Sequence, residues 1–302
     1  VWWPKRQRQR NNRLGNQSQK KQHQRAAFLF SSMVCIRYFC KMKRVATLLF
    51  LVPSLAFSQI RMAKLEIKKG EVFEIKDTDI LVTDTLIMRD SSSIMLNRKV
   101  SDNFIHAAVL IVGKGVRIVG RGENGKRGKD GAKGITYDGP CLDGSFGRGG
   151  TGGSHGDNGV NLSLYIKTFE LEGPMYIELN GGNGGDGGNG GEGGGGSPGL
   201  RVCAGGNGAV GGNGGTGGNG GNGGTLTLNC KSCSALHYWL NERFFPRTFG
   251  GFAGVGGNAG QGGRAGLGLD GDSSKDGRNG SRGKPGGNGE DGKPGAVNLN
   301  PF

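Results

Sequence analysis

Apolar residues follow two different patterns along this chain. Between residues 60 and 119 they come in short runs: Ile80-Leu81-Val82, Leu86-Ile87-Met88, Ile94-Met95-Leu96 and Val109-Leu110-Ile111-Val112, separated by Asp, Ser and Gly. Runs this short, bounded by turn residues, predict stacked strands rather than helices. A parallel β-solenoid is the first expectation and a small β-sandwich the second. Later segments alternate apolar with polar: Val160-Asn161-Leu162-Ser163-Leu164, Thr225-Leu226-Thr227-Leu228-Asn229 and Ala296-Val297-Asn298-Leu299-Asn300. Their starts are 65 and 71 residues apart, which marks an internal repeat of half-buried strands. Val116 to Gly120 and Tyr176 to Asn180 read as further strands. Ser234 to Phe245 differs, with Leu236, Trp239, Leu240 and Phe244 at helical spacing. A short helix covering one end is expected there, with His237 and Tyr238 packed in it.

Between the strands, glycine recurs every third residue in six tracts. They are Gly122–Gly134, Gly144–Gly159, Gly181–Gly196, Gly205–Gly223, Gly251–Gly266 and Gly277–Gly295. Of the 65 glycines, 60 lie between Gly122 and Gly295, so this span cannot build a conventional side-chain core. Three states compete for it. Glycine-rich chains are often flexible linkers. Collagen also needs glycine at every third position, but wants long arrays rich in proline, and only Pro285 and Pro294 qualify within the tracts. The third state is a bundle of glycine helices of polyproline-II type. Such a helix has three residues per turn and no internal hydrogen bonds, so every backbone N–H and C=O needs a lateral partner. Glycine lets a neighbouring backbone come close. Gly-Gly-X leaves two bare edges and suits a bundle's centre, whereas Gly-X-Y leaves one and suits its margin. Tracts three and four are mostly Gly-Gly-X, and tracts one, two and six mostly Gly-X-Y. The fold expected is therefore all-β and solenoid-like, with three glycine-rich hairpins forming a six-tract polyglycine-II bundle. At about 3.1 Å per residue, a 16-residue tract would project roughly 50 Å.

Charge first suggests a different protein. The 302 residues carry 39 Lys+Arg and 24 Asp+Glu, a net +15, which invites nucleic acid or membrane as a partner. Residues 1–58, however, hold 12 basic residues and no acidic one, and the remainder is nearly balanced. Met42-Lys43-Arg44, the apolar run Val45 to Leu55 and Ala56-Phe57-Ser58 together read as a signal peptide over 42–58. Residues 1–41 are then expected to be a non-native upstream or disordered basic segment. The remaining organisation expected is a strand base over 59–121, hairpin one over 122–159 and strand rungs over 160–180. Hairpin two follows over 181–224, a strand and short helix over 225–249, hairpin three over 250–295 and a last strand over 296–302. An exported chain with no membrane span, no nucleic-acid partner and no cofactor is expected.

Export makes disulfides plausible. Cys141 lies between tracts one and two and Cys203 between three and four, at the far tips of neighbouring hairpins. A Cys141–Cys203 bond would staple those tips, and Cys230 with Cys233 forms a C-x-x-C pair expected to be a second disulfide. The Gly-Gly-X runs, short tracts and tip cysteines resemble polyglycine-II bundle proteins, namely the snow flea antifreeze protein and the glycine-rich tip adhesins of phage tails. The resemblance covers Gly122–Gly295 and implies either ice binding or receptor reading by the connecting loops.

No catalytic constellation is evident. Asp77, Asp79 and Asp84 are the only faint carboxylate candidates for a glycan-acting solenoid enzyme, and His155 stands alone. Asp270, Asp272 and Asp276 outline a weak calcium loop without the glycine and glutamate of an EF-hand. The tips, Ile135–Asp143, Ser197–Ala204 and Leu267–Asp276, carry the side-chain variety. Loops on a rigid scaffold are the usual place for recognition, which nominates Tyr137, Leu142, Leu200, Arg201, Leu267 and Leu269. The first functional expectation is an exported, non-enzymatic adhesion or matrix protein contacting a cell-surface glycan, receptor or matrix protein. The alternative is ice binding along the uncharged edge Asn207, Val210, Asn213, Thr216, Asn219, Asn222 and Thr225 of tract four.

Overall fold

The computed structural model describes residues 60–233, 235–269 and 273–301, all within one unit, Ser58–Phe302. The expected upstream segment and signal peptide lie outside the described residues. Among the described residues, eleven strands follow in chain order: β1 (Ile60–Ile67), β2 (Val72–Glu74), β3 (Ile80–Met88), β4 (Ser93–Met95), β5 (Asp102–Val112) and β6 (Val116–Val119). They continue with β7 (Asn161–Leu171), β8 (Met175–Glu178), β9 (Leu226–Ser232), β10 (Phe244–Arg247) and β11 (Val297–Pro301). Odd-numbered strands form one parallel sheet in chain order, and even-numbered strands form the other. Each rung thus crosses from the first sheet to the second and returns, as in a β-solenoid. The three glycine hairpins are inserted where the chain returns after β6, β8 and β10.

Parallel register stacks like upon like. Ile60, Leu81, Ile105, Leu164, Leu228 and Leu299 pair in succession across the odd sheet, and Leu65, Leu86, Leu110 and Phe169 form a second column. Leu81, Ile105, Leu164 and Leu228 are fully buried between the sheets. Each such side chain contributes about 1.5–3 kcal/mol on leaving water. The odd strands also bend. In β3, Thr83 and Leu86 point inward while Asp84 and Thr85 both face out, and the ladder skips from Thr83–Ala107 to Thr85–Val109. The same two-residue corner recurs in β5 at Ala108–Val109 and in β7 at Lys167–Thr168. Two apolar runs expected as separate strands, 80–82 and 86–88, are therefore one strand turning a corner.

The helix expected over 234–245 is only one turn, α1 (Leu236–Trp239). Asn241 adopts φ 64°, and the chain then becomes β10, with Phe244 paired to Met175. Core packing overrides the helical spacing here: Phe244 is fully buried and meets Phe169 edge-on, as does Trp239. Tyr238, expected to pack, is 78% exposed. Pro246 is tolerated because β10 is the edge of its sheet, where one row of backbone groups has no neighbour.

The glycine tracts contain neither strand nor helix, yet their backbone groups are bonded laterally. Gly122, Gly125, Gly128, Gly131 and Gly134 of tract one donate to the carbonyls of Asn180, Asn183, Asp186, Asn189 and Glu192 along tract three. Tract three donates likewise to tract five, tract two to tract four and tract four to tract six, always in parallel. Consecutive tracts are joined antiparallel, for example Gly188 to Thr151 and Gly215 to Gly188. Tracts three and four each bond to four others, whereas tracts one and six bond to two. The Gly-Gly-X sequences thus occupy the positions with most neighbours.

Side chains fill N–H groups that have no backbone acceptor. Asn180, Asn183, Asp186 and Asn189 accept from the N–H of Phe249, Phe252, Val255 and Asn258. Asn207, Asn213, Asn219 and Asn222 do the same for Arg278, Lys284, Glu290 and Lys293. At the margins, Ser154, Thr151 and Ser145 hydroxyls cap Lys126, Lys129 and Ile135, and Asp291, Asn288 and Asn279 cap Ala253, Gly256 and Ala265.

Space at the tract contacts is sharply graded. A Cβ at Gly188 would collide with the carbonyl of Lys129, whereas at Gly287 it would meet nothing within 4 Å. Gly188→Ala is therefore expected to destabilise by about 3 kcal/mol or more, at the severe end of overpacking. Gly287→Ala should be neutral or stabilise by about 0.4–1 kcal/mol by restricting the unfolded chain. Thermal melts of the two variants beside the parent chain check this, and equal shifts would contradict it.

Candidate functional site

Three turns meet at the distal end of the hairpins. Tip one is tied to tip two by hydrogen bonds from Cys141 N–H to Pro198 O and from Ser197 N–H to Leu142 O, both 2.8 Å. The Ser197 hydroxyl adds a bond of 2.6 Å to Tyr137 O. A Cys141–Cys203 disulfide crosses the same junction. Cys141 takes φ 63°, a left-handed conformation uncommon for a residue with a side chain. Leu200 and Cys203 bond to each other across the second turn. Tip two reaches tip three through Gly199 N–H to Leu267 O and Gly205 N–H to Lys275 O. Lateral bonds therefore continue through the turns, and side chains far apart in sequence share one end.

Those side chains are unusually apolar for exposed positions. Tyr137, Leu142, Leu200 and Leu267 are exposed, as is Arg201, while Leu269 is half-buried. Three residues not nominated from sequence join them: Ile135, Phe146 and Val202, the last two 74% and 91% exposed. Their signal was available: Ile135 and Phe146 are large apolar residues inside glycine triplets, and Val202 sits in the connecting turn beside Cys203. Apolar groups left in water on ordered turns commonly mark contact surfaces.

The tract-four edge faces outward. Asn207, Val210, Asn213, Thr216, Asn219 and Asn222 are exposed, and Thr225 is half-buried. Its four asparagines are not wholly free, because the Oδ1 of each accepts an N–H of tract six as described above. His155, expected to have no role, is part of a similar ladder: its Nδ1 accepts from Asn219 N–H at 2.8 Å. At the root of the same layer, Asn161 receives Thr225 N–H and donates to Asp102. The Ser101 hydroxyl, then the Asn161 amide, hold the Asp102 carboxyl below its ordinary pKa.

The remaining candidates do not converge. Asp77 and Asp79 lie in the turn before β3, and Asp84 sits on the outward corner of that strand. Asp270 and Asp272 lie outside the described residues, and Asp276 accepts Gly268 N–H at 2.6 Å. Among the described residues, no group of three or more His, Cys, Asp or Glu could hold a metal ion. Near the hairpin root, a depression of about 560 Å³ runs between Arg98–Ser101 and Gly122, Glu123, Asp157 and Asn158. Two of its charges, Arg98 and Glu123, already pair at 2.8 Å. The second disulfide, Cys230–Cys233, closes the end of β9, with Cys230 fully buried. No helix among the described residues is long and apolar enough to cross a membrane.

No family model matches this chain, and neither a curated protein nor a solved structure matches it, so the site stands on its own geometry.

Proposed function

We propose that this is an exported, non-enzymatic adhesion or matrix protein. Its six glycine tracts form a polyglycine-II bundle that holds the tips away from the strand base. The observation that carries the reading is the gathering of exposed apolar side chains from three distant turns at one end, with a disulfide fixing two of them. A hydrophobic, pre-ordered surface loses little entropy on binding, which favours recognition by loops of this kind. Two disulfides fit an oxidising compartment, in keeping with export.

Circular dichroism tests the bundle. The expected spectrum has a left-handed polyproline-type signal that disappears cooperatively on heating. A coil spectrum without a transition would remove the scaffold from the proposal. Beads coated with the protein and scored on printed glycan arrays, matrix proteins and fixed cells test the tips. Replacing Tyr137, Leu142, Leu200 and Arg201 together by Ser should cut bead retention at least tenfold with the melt unchanged. Retention that survives this change would place adhesion elsewhere.

Ice binding is the second reading, favoured by the outward-facing, uncharged edge of tract four. It ranks second because that edge is one column wide. Arg278, Lys284, Glu290 and Lys293 occupy the matching positions of the adjoining tract. Thermal hysteresis by the whole chain, lost on Thr216→Lys, is the expected result if this reading holds. Its absence would leave the tips as the functional surface.

A further inference from the structure

A second surface lies on the opposite tract layer, away from the tips. Phe249, just before tract five, and Phe252 and Val255 within it recur at three-residue intervals, 65%, 73% and 59% exposed. They share one edge of the tract. With the three-residue turn proposed above, successive platforms are about 9 Å apart at roughly 3.1 Å per residue. Each is held from behind: Asn180, Asn183 and Asp186 of tract three accept the N–H of Phe249, Phe252 and Val255 at 2.9, 3.0 and 2.8 Å. The backbone under the stripe is thereby fixed. The same bonds use the Oδ1 atoms of Asn180 and Asn183, so their NH2 groups remain as donors beside the two rings.

The stripe continues onto the strand base. Phe245 of β10 stacks on Tyr176 of β8, with centroids 5.2 Å apart and planes 17° from parallel. Arg117 and Arg247 lie 5.9 and 5.7 Å from the Tyr176 centroid. In the other direction the column passes to Asn258, Gln261 and Arg264, all exposed. Along one line, therefore, aromatic faces are followed by amides, with further amide donors alongside.

Three occupants can be weighed by geometry. A second copy of the chain needs about 800 Å² per partner for a stable interface. Two phenylalanines and a valine, already partly covered, offer roughly 300–400 Å² when aromatic side chains bury about 150–250 Å² each. An extended peptide pairs with free backbone groups. On tract five the N–H groups of Ala253, Gly256 and Ala265 are capped by Asp291, Asn288 and Asn279, at 2.7–2.9 Å. What remains to recognise a ligand is a narrow row of exposed apolar side chains with amide groups alongside. Neutral, equatorially linked polysaccharides match this chemistry: they are extended ribbons with C–H faces for the negative face of an aromatic ring and edge hydroxyls for amides.

We propose that Phe249, Phe252 and Val255, with the amides of Asn180 and Asn183, bind an extended neutral β-1,4-linked polysaccharide along the flank of tract five. The spacing used in this proposal rests on the polyglycine-II reading, whereas the binding row itself rests on the exposed side chains and their bonded backbone. The surface is distinct from the tips and would let one molecule hold a matrix polymer while its tips contact something else.

Affinity electrophoresis of the full chain through gels containing hydroxyethyl cellulose, glucomannan or xylan tests the proposal. Retardation in at least one gel is expected, reduced at least tenfold in apparent affinity by F249A/F252A and retained by the tip variant. Phe252→Gln provides a milder single change at the most exposed ring, should the double variant lose its melt. No retardation in any of the three gels, or retardation indifferent to these changes, overturns the proposal. So does a concentration-dependent dimer in sedimentation that F249A/F252A abolishes, which would give the stripe to a second copy. The circular dichroism melt is read on the same samples, so loss of the scaffold and loss of the binding row are told apart.

Discussion

Close approach of backbone to backbone is the constraint on which the outer half of this protein depends. Lateral N–H to carbonyl bonds between tracts form only where no Cβ stands between the chains. Glycine loses more conformational freedom on ordering than any other residue, and each hydrogen bond returns only about 0.5–1.5 kcal/mol net. Such an array gains from having its chain ends held in register. The strand base supplies this. Each hairpin leaves the even sheet and re-enters the odd sheet on a fixed rung, so the parallel registers of β7, β9 and β11 set the offsets between tracts. The hydrophobic columns and the glycine contacts are in this sense one structure: burial in the base fixes the alignment that the hydrogen bonds require.

Asparagine and aspartate complete that arrangement. A glycine triplet has three N–H groups, and where backbone carbonyls cannot reach the third, a side chain from the adjoining tract does. This accounts for the repeated Gly-Gly-Asn triplets better than solubility does. Substitutions in the ladder are conservative in chemistry: Asp186 stands among asparagines, and His155 offers a ring nitrogen where its neighbours offer an amide oxygen. Pro285 and Pro294, which give tract six its collagen-like look, occupy its third triplet position, on the open margin. Other residues in that position, such as Asn288 and Asp291, use their side chains to cap tract five. A missing N–H there leaves no bond unmade.

Much of the base was legible in sequence because its strands repeat a period-two pattern after every glycine tract, as in Leu162-Ser163-Leu164 and Leu226-Thr227-Leu228. What escaped is instructive. β1 carries Arg61, Lys64 and Glu66 on its outer side, which hides its apolar residues from a search for runs. β10 begins in a segment with helical spacing and contains Pro246, and only its place at a sheet edge reconciles the two. The corner at Asp84–Thr85 breaks the alternation, so one strand looked like two. Among site residues, Tyr137, Leu142 and Leu200 could be named because they interrupt glycine. Phe249, Phe252 and Val255 were not named, because their three-residue spacing does not say whether the edge they share is inside or outside, and its backbone is fixed by asparagines about 70 positions earlier in the chain.

The margins of the array have a consequence for growth. A parallel array of glycine chains could in principle recruit further chains without limit, as an open β-sheet does. Here proline interrupts the last row at positions 285 and 294, where there is no N–H to donate, and exposed charges such as Arg127 and Asp130 of tract one and Arg282 and Asp291 of tract six stand along the two outer rows. Natural sheets blunt their edges with similar devices. Crowded copies of such a molecule are therefore expected to remain separate particles, each with a finite number of tracts, instead of merging into a fibre.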